Sequence, residues 1–183
     1  DWRAKLDIEL EAGQNYRANK ADWLDGVWTG LKAAETDDAP RRGETAMPIA
    51  QLKTLGEKLT TVPEGFALHK TVARFLDDRR KSIATGAGIN WATAEALAFG
   101  GLLMEGHPVR LSGQDSRRGT FLHRHVSVYD TKTGSTYTPL KHLDEDKERF
   151  VVNDTLLSEE GVLGYEYGYS SADPDTLVIW EAQ

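Results

Sequence analysis

The chain has 183 residues, enough for one domain with a buried core, or one domain with an arm, and too few for two ordinary domains. Its 22 Lys and Arg against 29 Asp and Glu leave a formal charge of −7, which disfavours nucleic acid and anionic membrane surfaces as partners, since both need a positive field. With no cysteine, disulfides, thiolate catalysis and cysteine-ligated zinc are excluded, and no apolar run approaches the roughly 20 residues that would span a bilayer. The start of the chain lacks the basic-then-apolar pattern of a signal peptide.

Residues 1–34 carry Trp2, Leu6, Ile8 and Leu10, then Trp23, Val27 and Leu31 at four-residue intervals, flanked by Leu24 and Trp28 on one helical face. The polar stretch 35–48, with two prolines and a glycine, reads as a flexible linker. Ile49, Leu52, Leu55 and Leu59 resume a helical stripe as far as Pro63-Glu64-Gly65, and a further helix is expected from about His69 to Ser82, burying Val72, Phe75 and Leu76. Residues 1–88 therefore read as a helical arm interrupted by the linker.

From Ile89 the pattern changes. Asn90 is a helix cap, and the nearly unbroken apolar run from Trp91 to Leu103, with Glu95 inside it, predicts a buried helix. Gly106-His107-Pro108 ends it, and Val109–Leu111 reads as a strand. His123 and His125 alternate in FLHRHVSV and would share one side of a strand. Thr131–Gly134 predicts a hairpin turn, and the charge run 141–149 a solvated loop. Strands at 150–152 and 176–180 flank a helix from Ser158 to about Ser170, a span fitting a parallel strand–helix–strand unit. The fold class is α/β with a helical extension.

In an open parallel sheet, ligands gather beyond the carboxyl ends of the strands. Those ends deliver SGQDSRRGTF, NDTLLSEE and Glu181-Ala182-Gln183 to one edge. Gly161, Gly164 and Gly168 share a face of the last helix, although each glycine costs about 1 kcal/mol against alanine there, so a close approach by a backbone or a ligand is expected. Glu159 and Glu160 in the first turn complement the helix dipole, or place one carboxyl in a cavity beside the glycines. Tyr165, Tyr167 and Tyr169 would wall such a cavity or join the core. Arg117, Arg118 and Arg124 make the neighbourhood of the two histidines basic, which suits an anionic substrate better than a metal. No phosphate-binding loop, dinucleotide fingerprint or nucleophile elbow is present.

INWATAEALAFG (89–100), HPVRLSGQDSRRGTFLHRH (107–125), STYTPL (135–140), LSEEGVLGYEYGY (157–169) and VIWEAQ (178–183) together resemble the thiamine-dependent, decarboxylating first component of the 2-oxoglutarate dehydrogenase complex. The resemblance runs through essentially all of 63–183. It implies a transketolase-like pyrimidine-binding domain beginning at 89, incomplete at 183, preceded by the arm 1–88. It implies that Glu159 is the acid that donates to a pyrimidine nitrogen of thiamine diphosphate, so that the cofactor can attack a 2-oxo acid. An acid in that role belongs in a desolvated pocket. Gln114 and Gln183 become neighbours of the cofactor, and His125 and Arg118 contributors to the substrate side. The implied protein is a homodimer that decarboxylates 2-oxoglutarate in the tricarboxylic acid cycle and passes a succinyl group to the lipoyl domain of a dihydrolipoyl succinyltransferase core. It would lie in the cytoplasm of a bacterium or the mitochondrial matrix of a eukaryote.

The G-D-G…N pattern that grips the diphosphate through magnesium in such enzymes is absent from these residues, so no metal ligand is expected among them. The chain is thus expected to be a fragment, inactive by itself. A relative acting on 2-oxoadipate and a non-catalytic α/β interaction module remain as alternatives. Hydrolysis by Glu159 and Glu160 as a pair is weakened because neighbours on a helix point about 100° apart.

Overall fold

The structure, a computed structural model, describes residues 1–14, 16, 26–31, 45–143 and 149–182. The chain divides into two units, Asp1–Arg41 and Arg42–Gln183. In the first, helix α1 (Trp2–Gln14) has no buried residue. Residues 26–31 form turns rather than the expected helix: Gly26 and Gly30 sit at φ 91° and 90°, outside the right-handed helical region. Trp23, Leu24 and most of the 35–48 linker lie outside the described residues.

The second unit starts with three helices, α2 (Ile49–Leu59), α3 (Lys70–Thr85) and α4 (Trp91–Met104). The expected Asn90 cap forms, its Oδ1 accepting from Thr93 N at 2.9 Å, and His69, for which no cap was expected, caps α3 with Nδ1 accepting from Thr71 N at 3.3 Å. Two glycines set how closely these helices pack. A Cβ on Gly56 would meet Ile83 Cγ2 at 2.5 Å, and one on Gly100 would meet Leu55 Cδ1 at 2.6 Å. Leu55 is 0% exposed and shares one core with Leu59, Phe99, Leu103, Val109 and Phe150. Each fully buried leucine or phenylalanine contributes about 1.5–3 kcal/mol. The change of sequence pattern at Ile89 is therefore not a break in packing, because α2 belongs to the same core as the sheet.

That sheet is three parallel strands in the order β4 (Phe150–Asp154), β1 (Val109–Gly113), β5 (Leu177–Glu181). Helix α5 (Glu159–Ala172) connects β4 to β5, but the two strands are not neighbours, since β1 lies between them. Val109 pairs with Phe150 on one side and Leu177 on the other, so Gly113, Asp154 and Glu181 end in one row. A small antiparallel hairpin, β2 (Val128–Tyr129) with β3 (Thr136–Tyr137), interrupts the path from β1 to β4. Asp130 fastens it by accepting from the backbone N–H groups of Ala67, Thr133 and Lys132, which draw its pKa down to about 2. A 3-10 turn (Pro139–His142) follows, and residues 144–148 of the charge run lie outside the described residues.

Residues 121–126 are not the strand expected from the alternation of His123 and His125. Leu122 and His125 adopt φ of 56° and 45°, and left-handed residues cannot continue an extended ladder. The segment instead folds back on itself, with Arg124 N and His125 N both donating to Arg118 O at 3.0 Å.

Candidate functional site

Two corners form beyond the row of strand ends. The first lies between β1, β4 and the head of α5. Ser158 caps that helix, its Oγ accepting from Gly161 N at 3.2 Å. Glu159, the first helical residue, is half-buried, and Gln114 at the end of β1 donates from Nε2 to Glu159 Oε1 across a long 3.4 Å. The corner is tied at its base by Thr155 N donating to Gly113 O at 2.8 Å and Arg117 N donating to Asp154 Oδ1 at 3.0 Å.

The rotation of α5 about its axis is fixed two turns further along. Glu166 is buried and takes a bidentate pair from Arg110 of β1, at 2.7 and 3.0 Å. Those bonds raise the pKa of Arg110, whose guanidinium also lies 4.7 Å from the ring of Tyr169 and 5.3 Å from that of Tyr165. Seven residues are nearly two full turns, so holding Glu166 against the sheet turns Glu159 towards the same side, with Glu160 about 100° away and exposed. The glycine row faces elsewhere, and it is bare except at Gly161, where a Cβ would meet Ser158 Oγ at 3.2 Å. Gly164 and Gly168 have nothing within 4 Å of where a Cβ would stand, so no other backbone among the described residues approaches them. Tyr165 and Tyr167 are exposed rather than part of a core, as are Leu156 and Leu157 before the helix.

The second corner lies between β1, β5 and α4, and centres on Arg124, which is 5% exposed. Its Nε and one terminal nitrogen donate to the two carboxylate oxygens of Glu95 at 2.6 and 3.1 Å. The terminal nitrogens donate to Glu181 at 2.7 and 2.8 Å, and one of them also to Ser116 O at 2.9 Å. Burial opposes the charge of Arg124, but the bonds to Glu181 and Glu95 outweigh it and its pKa is raised. The same bonds hold Glu181 below its ordinary value of 4.5. Arg79 stands behind, donating to Arg124 O at 3.0 Å, with its pKa lowered by burial to about 10 despite the favourable charge of Glu95.

The basic neighbourhood expected around the histidines is thereby neutralised from within. Arg124 has its two glutamates, Arg117 Nε lies 3.7 Å from Asp154, and Arg118 Nε donates to Asp115 at 2.7 Å. His125 is half-buried, edge-on to Phe75 at 5.3 Å between ring centres, and burial together with the charges of Arg79 and Arg118 lowers its pKa, which favours a neutral imidazole. So Glu159 and Gln114 come together, Arg118 and His125 share the folded-back loop, and Gln183 lies outside the described residues. Sequence reasoning left Glu95 and Glu181 without a role and took Arg124 for a surface charge. A lone glutamate inside an apolar helix needs a cation, and that was the available signal.

Among the described residues no group of three or more His, Asp or Glu side chains is placed to hold a metal ion, and no helix is long and apolar enough to cross a membrane. The open corner thus gathers Gln114, Asp154 and Glu159 beyond two parallel strand ends and at a helix head. Residues 87–183 match the family described as transketolase, pyrimidine binding domain, and the chain belongs to that family. Over all 183 residues it is 56% identical to the 2-oxoglutarate dehydrogenase E1 components of Brucella canis, Brucella suis and Brucella melitensis. It spans 18% of the length of each of these relatives.

Proposed function

We propose that this chain is the arm and leading part of the pyrimidine-binding domain of a thiamine-diphosphate-dependent 2-oxoglutarate dehydrogenase E1 component. The observation that carries the proposal is the meeting of Glu159 and Gln114 beyond parallel strand ends, in a chain 56% identical throughout to proteins of that name. When bound, thiamine diphosphate supplies the carbanion chemistry that releases carbon dioxide from a 2-oxo acid.

The residues present fit the flat end of that cofactor. Glu159 offers a carboxyl at the strand-end edge, and on the far side of α5 the open faces of Gly164 and Gly168 leave room for a partner to approach that helix closely. Because Gln114 donates to Oε1, that oxygen acts as acceptor and Oε2 is left to donate towards a pyrimidine nitrogen. Glu159 is only half-buried by this chain, so the desolvated pocket the role calls for is completed by groups other than the described ones. The exposed Leu156, Leu157, Leu163 and Tyr167 beside it suit a second copy of the protein, which supports a homodimer with sites at its interface. Gln183 is assigned to the cofactor side, and His125, as a neutral imidazole, with Arg118 to the substrate side. Magnesium and the diphosphate are assigned to a separate domain, the lipoyl domain of the succinyltransferase core is the acceptor, and the cytoplasm is the compartment.

The test is turnover by the whole protein that carries this chain, stripped of cofactor and assayed for carbon dioxide release. Activity on 2-oxoglutarate that requires both thiamine diphosphate and magnesium is expected. A clear preference for 2-oxoadipate would move the assignment to that substrate, and activity without the cofactor would overturn it.

A further inference from the structure

We propose that Arg124 is a positioning residue, a clamp that sets the loop 114–125 and the end of β5 at a fixed distance from α4 and so presets the groups at the strand-end site. The inference rests on the functional reading above, since that reading supplies the reaction for which the groups are positioned.

Three observations carry it. First, the hydrogen-bonding capacity of Arg124 is fully used: one N–H from Nε and two from each terminal nitrogen account for its five bonds to Glu95, Glu181 and Ser116 O. Those partners belong to three separate backbone segments, and a planar guanidinium fixes all of them relative to one another.

Second, the groups assigned to the site hang from the anchor points. Gln114 lies two residues before Ser116, His125 directly follows Arg124, and Gln183 lies two residues beyond Glu181. Arg118 holds the backbone of Arg124 and His125 through its carbonyl. Small movements of any anchor therefore move a site group.

Third, the loop needs holding. Asp115, Leu122 and His125 sit at φ of 53°, 56° and 45°, a region that residues other than glycine enter at a cost and keep only where the surroundings over-determine them. The β1 end is also tight, because a Cβ on Gly113 would meet Glu181 O at 2.6 Å.

Stability alone is a poor account of the cluster. Buried ion pairs commonly contribute no more than apolar residues of the same volume, because desolvation offsets the attraction. What apolar residues cannot do is hold three backbone segments at set distances and angles.

The test uses the whole enzyme with Arg124→Lys and Glu95→Gln. Lysine keeps the charge but cannot serve two carboxylates and a carbonyl in one plane. Both variants should stay folded and dimerise, while kcat per active site falls by about 10²-fold, the size of effect a misplacement near 1 Å produces. KM for the 2-oxo acid should change much less, and the double variant should be no slower than the slower single one. By hydrogen exchange, residues 114–125 and 177–181 should exchange faster in Arg124→Lys, with 49–59 unchanged. A merely structural role predicts instead a lower melting midpoint and fewer active sites, with kcat per remaining site intact, and that result would overturn the proposal. So would unchanged exchange in both segments. If the unmodified enzyme releases no carbon dioxide from any 2-oxo acid, the functional reading fails, and the exchange result alone decides whether Arg124 clamps the loop.

Discussion

Beyond the carboxyl end of β1 the chain turns two corners that differ in how complete they are. On the β5 side, Arg124 meets Glu95, Glu181 and Ser116 O with every donor used, and the acids and bases nearly cancel. On the β4 side, Glu159 has one long contact to Gln114, and the helix it heads shows a bare glycine row and exposed leucines and tyrosines to its surroundings. A buried charge without partners is expensive, so the first corner has to be finished within the chain. The second is unfinished by the described residues, and its open groups are the ones with chemistry to offer. On the clamp proposed for Arg124, the closed corner holds the frame on which the groups of the open one are placed.

Several substitutions would break or sharpen this contrast. Glu159→Gln in the whole enzyme should have the largest effect, a loss of at least about 10²-fold in decarboxylation from removing a positioned acid, with the melting midpoint unmoved. Near-normal turnover would remove Glu159 from the proposed role. Arg124→Ala acts on the closed corner. It strands two partly buried carboxylates and should lower unfolding free energy by about 3–5 kcal/mol, read as a shifted urea midpoint at constant slope. Its pH dependence has a definite sign. Bonds from Arg124 depress the folded pKa of Glu181, so the stability from that contact is fully present above 4.5 and is lost as pH falls through the depressed value. Arg124→Ala should therefore flatten the acid limb of the stability profile, and an unchanged limb would contradict the assigned cause. Glu166→Gln leaves Arg110 without its carboxylate and should cost about 3 kcal/mol, the smaller figure because only one charge is stranded.

The same contrast explains what could be read from the sequence. Helical stripes at Leu55 and Leu59, the Asn90 cap, the helix starting at about Ser158 and the short apolar strands depend on local spacing, and they form where expected. The match of residues 87–183 to the pyrimidine-binding domain bears out the family suggested by the long blocks between 89 and 183. Two kinds of feature were hidden. One was left-handed backbone at Leu122 and His125, which no glycine announces, and it turned an expected strand into a folded loop. The other was long-range pairing: Arg124 reaches Glu95 across 29 positions and Glu181 across 57, and nothing in local spacing links them. Arg117, Arg118 and Arg124 looked like a basic surface because their acids come from elsewhere in the chain or, for Arg118, from a turn of the same loop.

The smallest effect tests the open corner most directly. Gly164 lies inside α5 with nothing within 4 Å of the place a Cβ would take, and its φ is not left-handed. Within these 183 residues Gly164→Ala should therefore stabilise the helix by roughly 1 kcal/mol, the ordinary difference between the two residues in a helix interior. In the whole enzyme the same methyl would stand on the open face proposed to receive a second subunit. There it should weaken dimer formation, and cofactor binding with it, while the isolated chain grows more stable. The two measurements are the urea midpoint of the chain alone and the thiamine diphosphate affinity and dimer dissociation of the whole enzyme. Opposite signs would mean that the glycine row is kept open for something outside the described residues. Stabilisation in both settings would mean that nothing approaches that face, and the exposed surface beside Glu159 would need another explanation.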